Sequence, residues 1–237
     1  MLIDLHAHSK GISRCCQITG KEMVQVVRDA GLDGIVLTNH YDKNYIENND
    51  ALTFAKKYIN EYLLVKEYGK AIGIKVFFGI EVTMAKHNNV HMLVYGVSEE
   101  WLINHPNLYD YSQNELYDLV HKAGGILIQA HPFRAGKDVL LDLNCLDGVE
   151  VNCHPLYDET HVKKLADIAK HNHFILTCGG DYHADTHRPK CGLYLPDNLE
   201  TIDEIVAFLK ETKIITMCIQ EVGLMTTYDY QFKKEGM

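Results

Sequence analysis

The sequence predicts an α/β fold around a mainly parallel sheet, either open or closed into a barrel. Three observations carry that expectation. Short apolar runs rich in Val, Ile, Leu and Phe recur along the 237 residues. Between most of them lie stretches with apolar residues at helical spacing. The switches are marked by Gly, Asn or capping residues, and no linker or low-complexity segment interrupts the series. A chain of this length has room for one sizeable core, so residues 1–237 are read as a single domain.

The first strand is Met1-Leu2-Ile3-Asp4-Leu5-His6-Ala7-His8. Side chains alternate along a strand, so Asp4, His6 and His8 share one face. The two imidazoles suit one metal ion, with Asp4 behind them to orient a ring. A polar loop, 9–20, leads to a helix over 21–30, capped by Thr19 or Gly20 and stopped by Gly31. Residues 34–38 form a buried strand that delivers His40. A longer helix spans about 50–68, and 75–82 reads as one strand with Glu81 near its end. Asn88-Asn89 turns the chain into a returning strand, 90–95, that carries His91. Ser112 and Glu115 stand at capping-box spacing, opening a helix that ends at Gly124-Gly125. Strands follow at 126–130, 148–152 and 174–178, with a helix at 160–170. The first of these delivers His131 and Arg134, and the last delivers Asp181 and His183. A helix over 202–209 and a β-rich tail through 214–217 complete the pattern.

The bulk numbers narrow the function classes. The net charge of −9 comes without a basic stripe, which speaks against long nucleic acid as a partner. No apolar run is long enough to span a bilayer, and no basic segment precedes an apolar signal core. The seven Cys are scattered, with no Cys-x-x-Cys pair, as expected of reduced thiols in the cytoplasm. Cys15 and Cys16 are read as ordinary loop thiols.

His6, His8, His40, Glu81, His131, Asp181 and His183 each fall at or just past a predicted strand's C-terminal end. His91 lies near the start of its own strand, which fits a strand returning from a hairpin. In a barrel of parallel strands these ends converge on one face, where active sites are built. A mixed His and carboxylate set suits Zn²⁺, Mn²⁺ or Fe²⁺ rather than Mg²⁺ or Ca²⁺. The donors exceed what one tetrahedral ion needs, so two or three ions are expected.

Six motifs then stand in order: Asp4-Leu5-His6-Ala7-His8, Leu37-Thr38-Asn39-His40, Gly79-Ile80-Glu81, His91 to Gly96, Ala130-His131-Pro132 and Gly180-Asp181-Tyr182-His183. This series resembles the polymerase and histidinol phosphatase (PHP) superfamily. The resemblance implies a distorted TIM-like (β/α)7 barrel, of about seven strands, with up to three metals at the strand ends. It implies that His6, His8, Glu81 and Asp181 hold one ion. Glu81 would bridge to a second held by His91 and His131, and His40 and His183 would contribute to a third. Two positions depart from the family pattern, Asn39 in place of Asp and Ser13-Arg14-Cys15-Cys16 in place of an Asp or His. Both fall on the third position, which is expected to be weak or completed by water rather than by Cys15.

The implied chemistry is phosphate-ester hydrolysis of a small phosphorylated substrate, a phosphomonoester or short nucleotide. A hydroxide bridging the ions would attack phosphorus in line with the leaving alkoxide. Arg134 would clamp the phosphate with its forked guanidinium, and His183 or a bound water would protonate the leaving group. Glu150, Asn152 and His154 share a face and are read as cleft lining or ligand supports. His161, His171 and His173 are read as surface; His187 and Arg188 follow the Asp-x-His loop, where substrate contact is the less favoured reading. Two alternatives stay open: a metal-dependent hydrolase of another bond, and a non-catalytic module stabilised by its metals.

Overall fold

The computed structural model describes residues 1–134, 139–157, 159–184, 186, 190–221 and 226–234. His187 and Arg188 lie outside these residues. The chain runs β1 (Leu2–Ala7), α1 (Gly20–Asp29), β2 (Gly34–Leu37), β3 (His40–Tyr41), α2 (Ala51–Ile72), β4 (Lys75–Phe78), β5 (Ile80–Met84) and β6 (Val90–Tyr95). It continues with α3 (Glu99–Asn104), α4 (Gln113–Lys122), β7 (Ile126–Gln129), β8 (Gly148–Asn152), α5 (Val162–His171) and β9 (Ile175–Gly179). The last elements are β10 (Gly192–Tyr194), α6 (Ile202–Glu211), β11 (Ile214–Gln220) and β12 (Thr227–Lys233).

Local chemistry sets the helix ends. Thr19, Ser112 and Thr201 each accept the N3 backbone N–H, while Glu22, Glu115 and Glu204 reach back to the cap. Each such capping box is worth about 1 kcal/mol. α2 ends at Gly73, whose φ of 81° is a left-handed conformation that costs a glycine little.

The pairing departs from a barrel. Among the described residues the strands form two six-stranded sheets, ordered β12-β11-β10-β1-β2-β4 and β3-β5-β6-β7-β8-β9, and neither is closed. Nor are they mainly parallel throughout. β5, β6 and β7 pair antiparallel, as do β1, β10, β11 and β12, while β1-β2-β4, β3-β5 and β7-β8-β9 are parallel.

The expected single strand over 75–82 is broken at Gly79 and passes from the first sheet to the second. The chain before it makes the same crossing at Thr38-Asn39, between β2 and β3. Pairing survives the break, because Gly79 N–H donates to Leu37 O (3.1 Å) and Glu81 N–H to Asn39 O (3.2 Å). A Cβ on Gly79 would meet Val36 and Thr38 side-chain carbons at 2.7 and 2.8 Å, so only glycine lets the two strands cross this closely. The buried Tyr58 hydroxyl on α2 lies 2.8 Å from Asn39 O and 2.9 Å from Gly79 O, tying both crossings to one helix.

The sheets also meet at the end of β1. Ala7 forms a single parallel bridge with Tyr182, and Asp181 N–H donates to His6 O at 2.8 Å. Helices cover the outer faces, with α1 and α2 over β2 and β4, α4 on β7, and α5 on β8 and β9. Among the described residues no helix is long and apolar enough to cross a membrane.

Candidate metal centre

Glu81 stands at the centre of the site. It is fully buried, and five imidazoles reach its carboxylate: His6 Nε2 (3.3 Å), His91 Nδ1 (2.9 Å) and His131 Nε2 (3.1 Å) at Oε1, and His8 Nε2 (3.4 Å) and His40 Nδ1 (2.6 Å) at Oε2. Asp181 adds a second carboxylate, with Oδ1 3.0 Å from His8 Nε2, 3.5 Å from His6 Nε2 and 3.3 Å from His183 Nδ1. All eight candidate ligands named from the sequence therefore lie around one centre. The crossings at Asn39 and Gly79 place His40 and Glu81 there, and the bridge at Ala7 brings Asp181 and His183 to the end of β1.

The supports behind the rings fix which nitrogen carries a proton. Ser13 Oγ donates to Asn39 Oδ1 (2.8 Å) and accepts from the His40 backbone N–H (3.0 Å). Its remaining lone pair accepts from His8 Nδ1 (3.0 Å), which leaves the His8 Nε2 lone pair facing the carboxylates. His6 Nδ1 lies 2.8 Å from Glu150 Oε1, so its Nε2 lone pair likewise points inward. The two inward nitrogens are 3.0 Å apart. Where these inward nitrogens carry no proton, lone pairs face lone pairs and carboxylates at this range, and a cation between them relieves the repulsion.

Glu81 Oε2, Asp181 Oδ1 and His40 Nδ1 are also buried with no hydrogen-bond partner of ordinary geometry among the described residues. The donor set thus fits divalent ions, and three of its residue groups, His6-His8-Glu81, His40-Glu81-His91 and His8-His40-His183, have the spread to hold one. Ser13 and Asn39, in the two stretches where the sequence departs from the family pattern, form a hydrogen-bonded backing for His8.

Electrostatics agree. Burial alone would raise Glu81, but His40, His91 and His6 outweigh it and hold its carboxyl well below the usual range. Asp181 behaves likewise, through His6, His8 and His183. His8 is pushed well below an ordinary imidazole by burial and by His183 and His40. His6 is pulled the other way, since Glu150, Glu81 and Asp181 outweigh its burial.

One support differs from the sequence expectation. Asp4 does not orient a ring: its Oδ1 accepts from the backbone N–H groups of His6 and Gly180, both at 2.9 Å. Burial, offset in part by those bonds, pushes its carboxyl up to about 8. Glu150 takes the orienting role, holding His6 through Oε1, with Oε2 accepting from His131 N–H (2.9 Å) and Asn152 Nδ2 (3.0 Å). The sequence offered only its shared face with Asn152 and His154.

Tyr157 gave no sequence signal. Its hydroxyl donates to Asp181 Oδ2 at 2.6 Å, and its ring stacks on His154 and carries Arg134 at 5.2 Å. His154 is consequently buried at the cleft rather than solvated. Asp181 and His131 both have positive φ, 51° and 29°, a cost of about 1–3 kcal/mol each that the surrounding contacts hold in place.

The ligands open onto a cleft of about 490 Å³ whose lining includes His40, Tyr45, His91, Arg134, Leu156 and His183. That volume suits a small molecule. A larger hollow of about 640 Å³ lies against α1 and α2 and contains none of the candidate ligands.

A family model, the PHP domain, matches residues 4–178, which include all the candidate ligands except Asp181 and His183. The chain belongs to the PHP family. No curated protein matches it by sequence. Solved structures share the PHP chain's fold at low identity. A two-domain protein from Bacteroides vulgatus that contains a predicted PHP-like metal-dependent phosphoesterase is 14% identical with a TM-score of 0.64, covering 100% of this chain and 87% of that one. PsfC from Pseudomonas syringae is 18% identical with a TM-score of 0.61, covering 86% of each chain. An amidohydrolase from Chromobacterium violaceum, with bound sulfate and no metal, is 16% identical with a TM-score of 0.55, covering 88% of this chain and 97% of that one.

Proposed function

We propose that this PHP chain hydrolyses phosphate esters of small molecules with two or three divalent ions, zinc, manganese or iron. The observation that carries the reading is the Glu81 carboxylate, buried and approached by five imidazoles between its two oxygens. A carboxylate so placed could serve two ions, one through each oxygen. His6, His8 and Asp181 would serve one, His91 and His131 the other, and His40 and His183 an outer position. Bound ions of this kind make hydroxide available near neutral pH and withdraw charge from phosphoryl oxygens.

The chain's own groups do the rest. Glu150 holds His6 in one tautomer and fixes the His131 backbone, so the inner ligands need little rearrangement. Tyr157 donates to Asp181 Oδ2 and leaves Oδ1 turned inward. Arg134, half-buried over the Tyr157 ring, presents a fork of N–H donors to phosphate oxygens in the cleft. His183 has both nitrogens engaged, Nδ1 with Asp181 O (2.7 Å) and Nε2 with Cys15 Sγ (3.1 Å). It is therefore assigned to the outer ion position, and the leaving alkoxide takes its proton from water. Tyr45 and Leu156 offer the walls for the non-phosphate part of the substrate, a phosphomonoester or short nucleotide.

A panel of phosphorylated metabolites, assayed with Mn²⁺ or Zn²⁺, tests the reading. Release of inorganic phosphate from at least one small ester is expected. Metal bound without turnover of any phosphate ester would overturn it, and turnover of amides instead would favour the alternative bond class. Within this reading Arg134→Ala should lower kcat/KM for the ester by about 100-fold, roughly 3 kcal/mol, while metal content stays unchanged. An unaltered rate would remove Arg134 from the mechanism.

A further inference from the structure

The loop after β1 puts a thiol where the candidate ligands end. Cys15 Sγ lies 3.1 Å from His183 Nε2 and accepts from the Tyr45 hydroxyl at 3.8 Å. His40 and His183 also form a metal-sized group with His8, and the rings of His8 and His40 are 4.4 Å apart. Asp181 Oδ1, 3.0 Å from His8 Nε2 and 3.3 Å from His183 Nδ1, borders this group, buried and with no hydrogen-bond partner of ordinary geometry among the described residues.

The spacing fits a shared cation. A tetrahedral ion bound by an imidazole at about 2.0 Å and a thiolate at about 2.3 Å sets N and S about 3.5 Å apart. An ion would enter between Cys15 and His183 with a shift of a few tenths of an ångström. Of the seven cysteines only Cys15 is exposed, at the mouth of the cleft, so a hydrated ion can reach it.

We infer that Cys15 is a metal ligand of this chain, its sulfur completing with His40 and His183 an outer cation position at the cleft mouth. The expectation of a water-completed position is thereby replaced. On binding, the thiol gives its proton to solvent and its sulfur pair to the ion. A soft thiolate donor selects zinc, cobalt(II) or iron(II) over manganese and magnesium at this position, while the inner positions keep N and O donors. The bound thiolate also shields Cys15 from alkylation and oxidation. The inference rests on the metal-dependent reading above.

Cobalt substitution tests it. The full-length chain is stripped with a chelator and titrated with Co²⁺, in wild type and in Cys15→Ser. The wild type should develop a thiolate-to-cobalt charge-transfer band in the near ultraviolet that Cys15→Ser lacks. The visible d–d bands of the inner ions should persist in both, and the last ion should bind at least about 10-fold more weakly in the variant. Iodoacetamide should label Cys15 in the stripped protein and label it at least about 10-fold more slowly once cobalt is bound. The buried trio Cys153, Cys178 and Cys191 is present in both proteins, so only the difference between their spectra counts. Equal charge-transfer bands, or alkylation indifferent to cobalt, would overturn the role of Cys15 while leaving the inner centre standing. Failure of the wild type to bind cobalt would overturn both.

Discussion

Replacing Glu81 with Gln should reduce phosphate-ester hydrolysis by about 1,000-fold or more, equivalent to about 4 kcal/mol of barrier. The substitution keeps the side chain's size, so the packing around it is largely preserved. It removes the charge and turns one of two acceptor oxygens into a donor NH₂. That donor would face nitrogens whose lone pairs are aimed inward by Ser13 and Glu150. Each imidazole loses the group that reaches across from the other side; Glu150 is engaged with the outer nitrogen of His6, which leaves Asp181 as the described carboxylate facing the inward nitrogens of His6 and His8. Loss should extend to both inner ions, because the Glu81 carboxylate faces the inward ring nitrogens of His6 and His8 on one side and of His91 and His131 on the other. Metal analysis of the purified variant, beside its steady-state rate, checks this. Full metal content with a rate within about tenfold of wild type would refute the bridging role.

The double substitution His6→Ala with His8→Ala should strip the inner ion between them and bring hydrolysis to background. Both side chains are fully buried, so the change also leaves a cavity and two orphaned partners, Glu150 and Ser13. A stability cost of about 2–5 kcal/mol follows from the cavity and the unpaired groups. The two sites are adjacent, so their single-variant costs should not add. Far-ultraviolet circular dichroism should keep its native shape at 25 °C while the thermal midpoint falls. Native metal content in the double variant would remove these residues from the ligand set.

Much of this architecture was legible in the chain because it is written locally. The capping box at Ser112 and Glu115, the turn at Asn88-Asn89 and the strand at 148–152 rest on residues within a few positions of one another. Strand alternation put His6 and His8 together, and the strand-end rule gathered ligands spread over nearly 180 residues. What escaped depends on tertiary contacts. In the run over 75–82 a single residue, Gly79, marks the break locally, and the split follows from two strands crossing side by side at Asn39 and Gly79. The six-residue α3 has its Ser98 cap in plain view but is too short for a periodic pattern.

At the site, Glu150 and Tyr157 come from segments whose relation to His6 and Asp181 is set by how β8 lies beside β9, which spacing does not encode. Asp4 was misplaced for the same reason. It shares the face of His6, but the nearby backbone N–H of Gly180 claims its carboxylate.

The central claim is that divalent ions held around Glu81 carry out phosphate-ester hydrolysis. The most direct measurement is a reconstitution titration: chelator-stripped protein receives measured amounts of Mn²⁺ or Zn²⁺, and bound metal and phosphate release are followed together on one small ester. The account predicts no turnover in the stripped protein and recovery in step with filling of the inner positions. Turnover that persists after the metal is removed, or full occupancy with no phosphate released from any small ester, would contradict it.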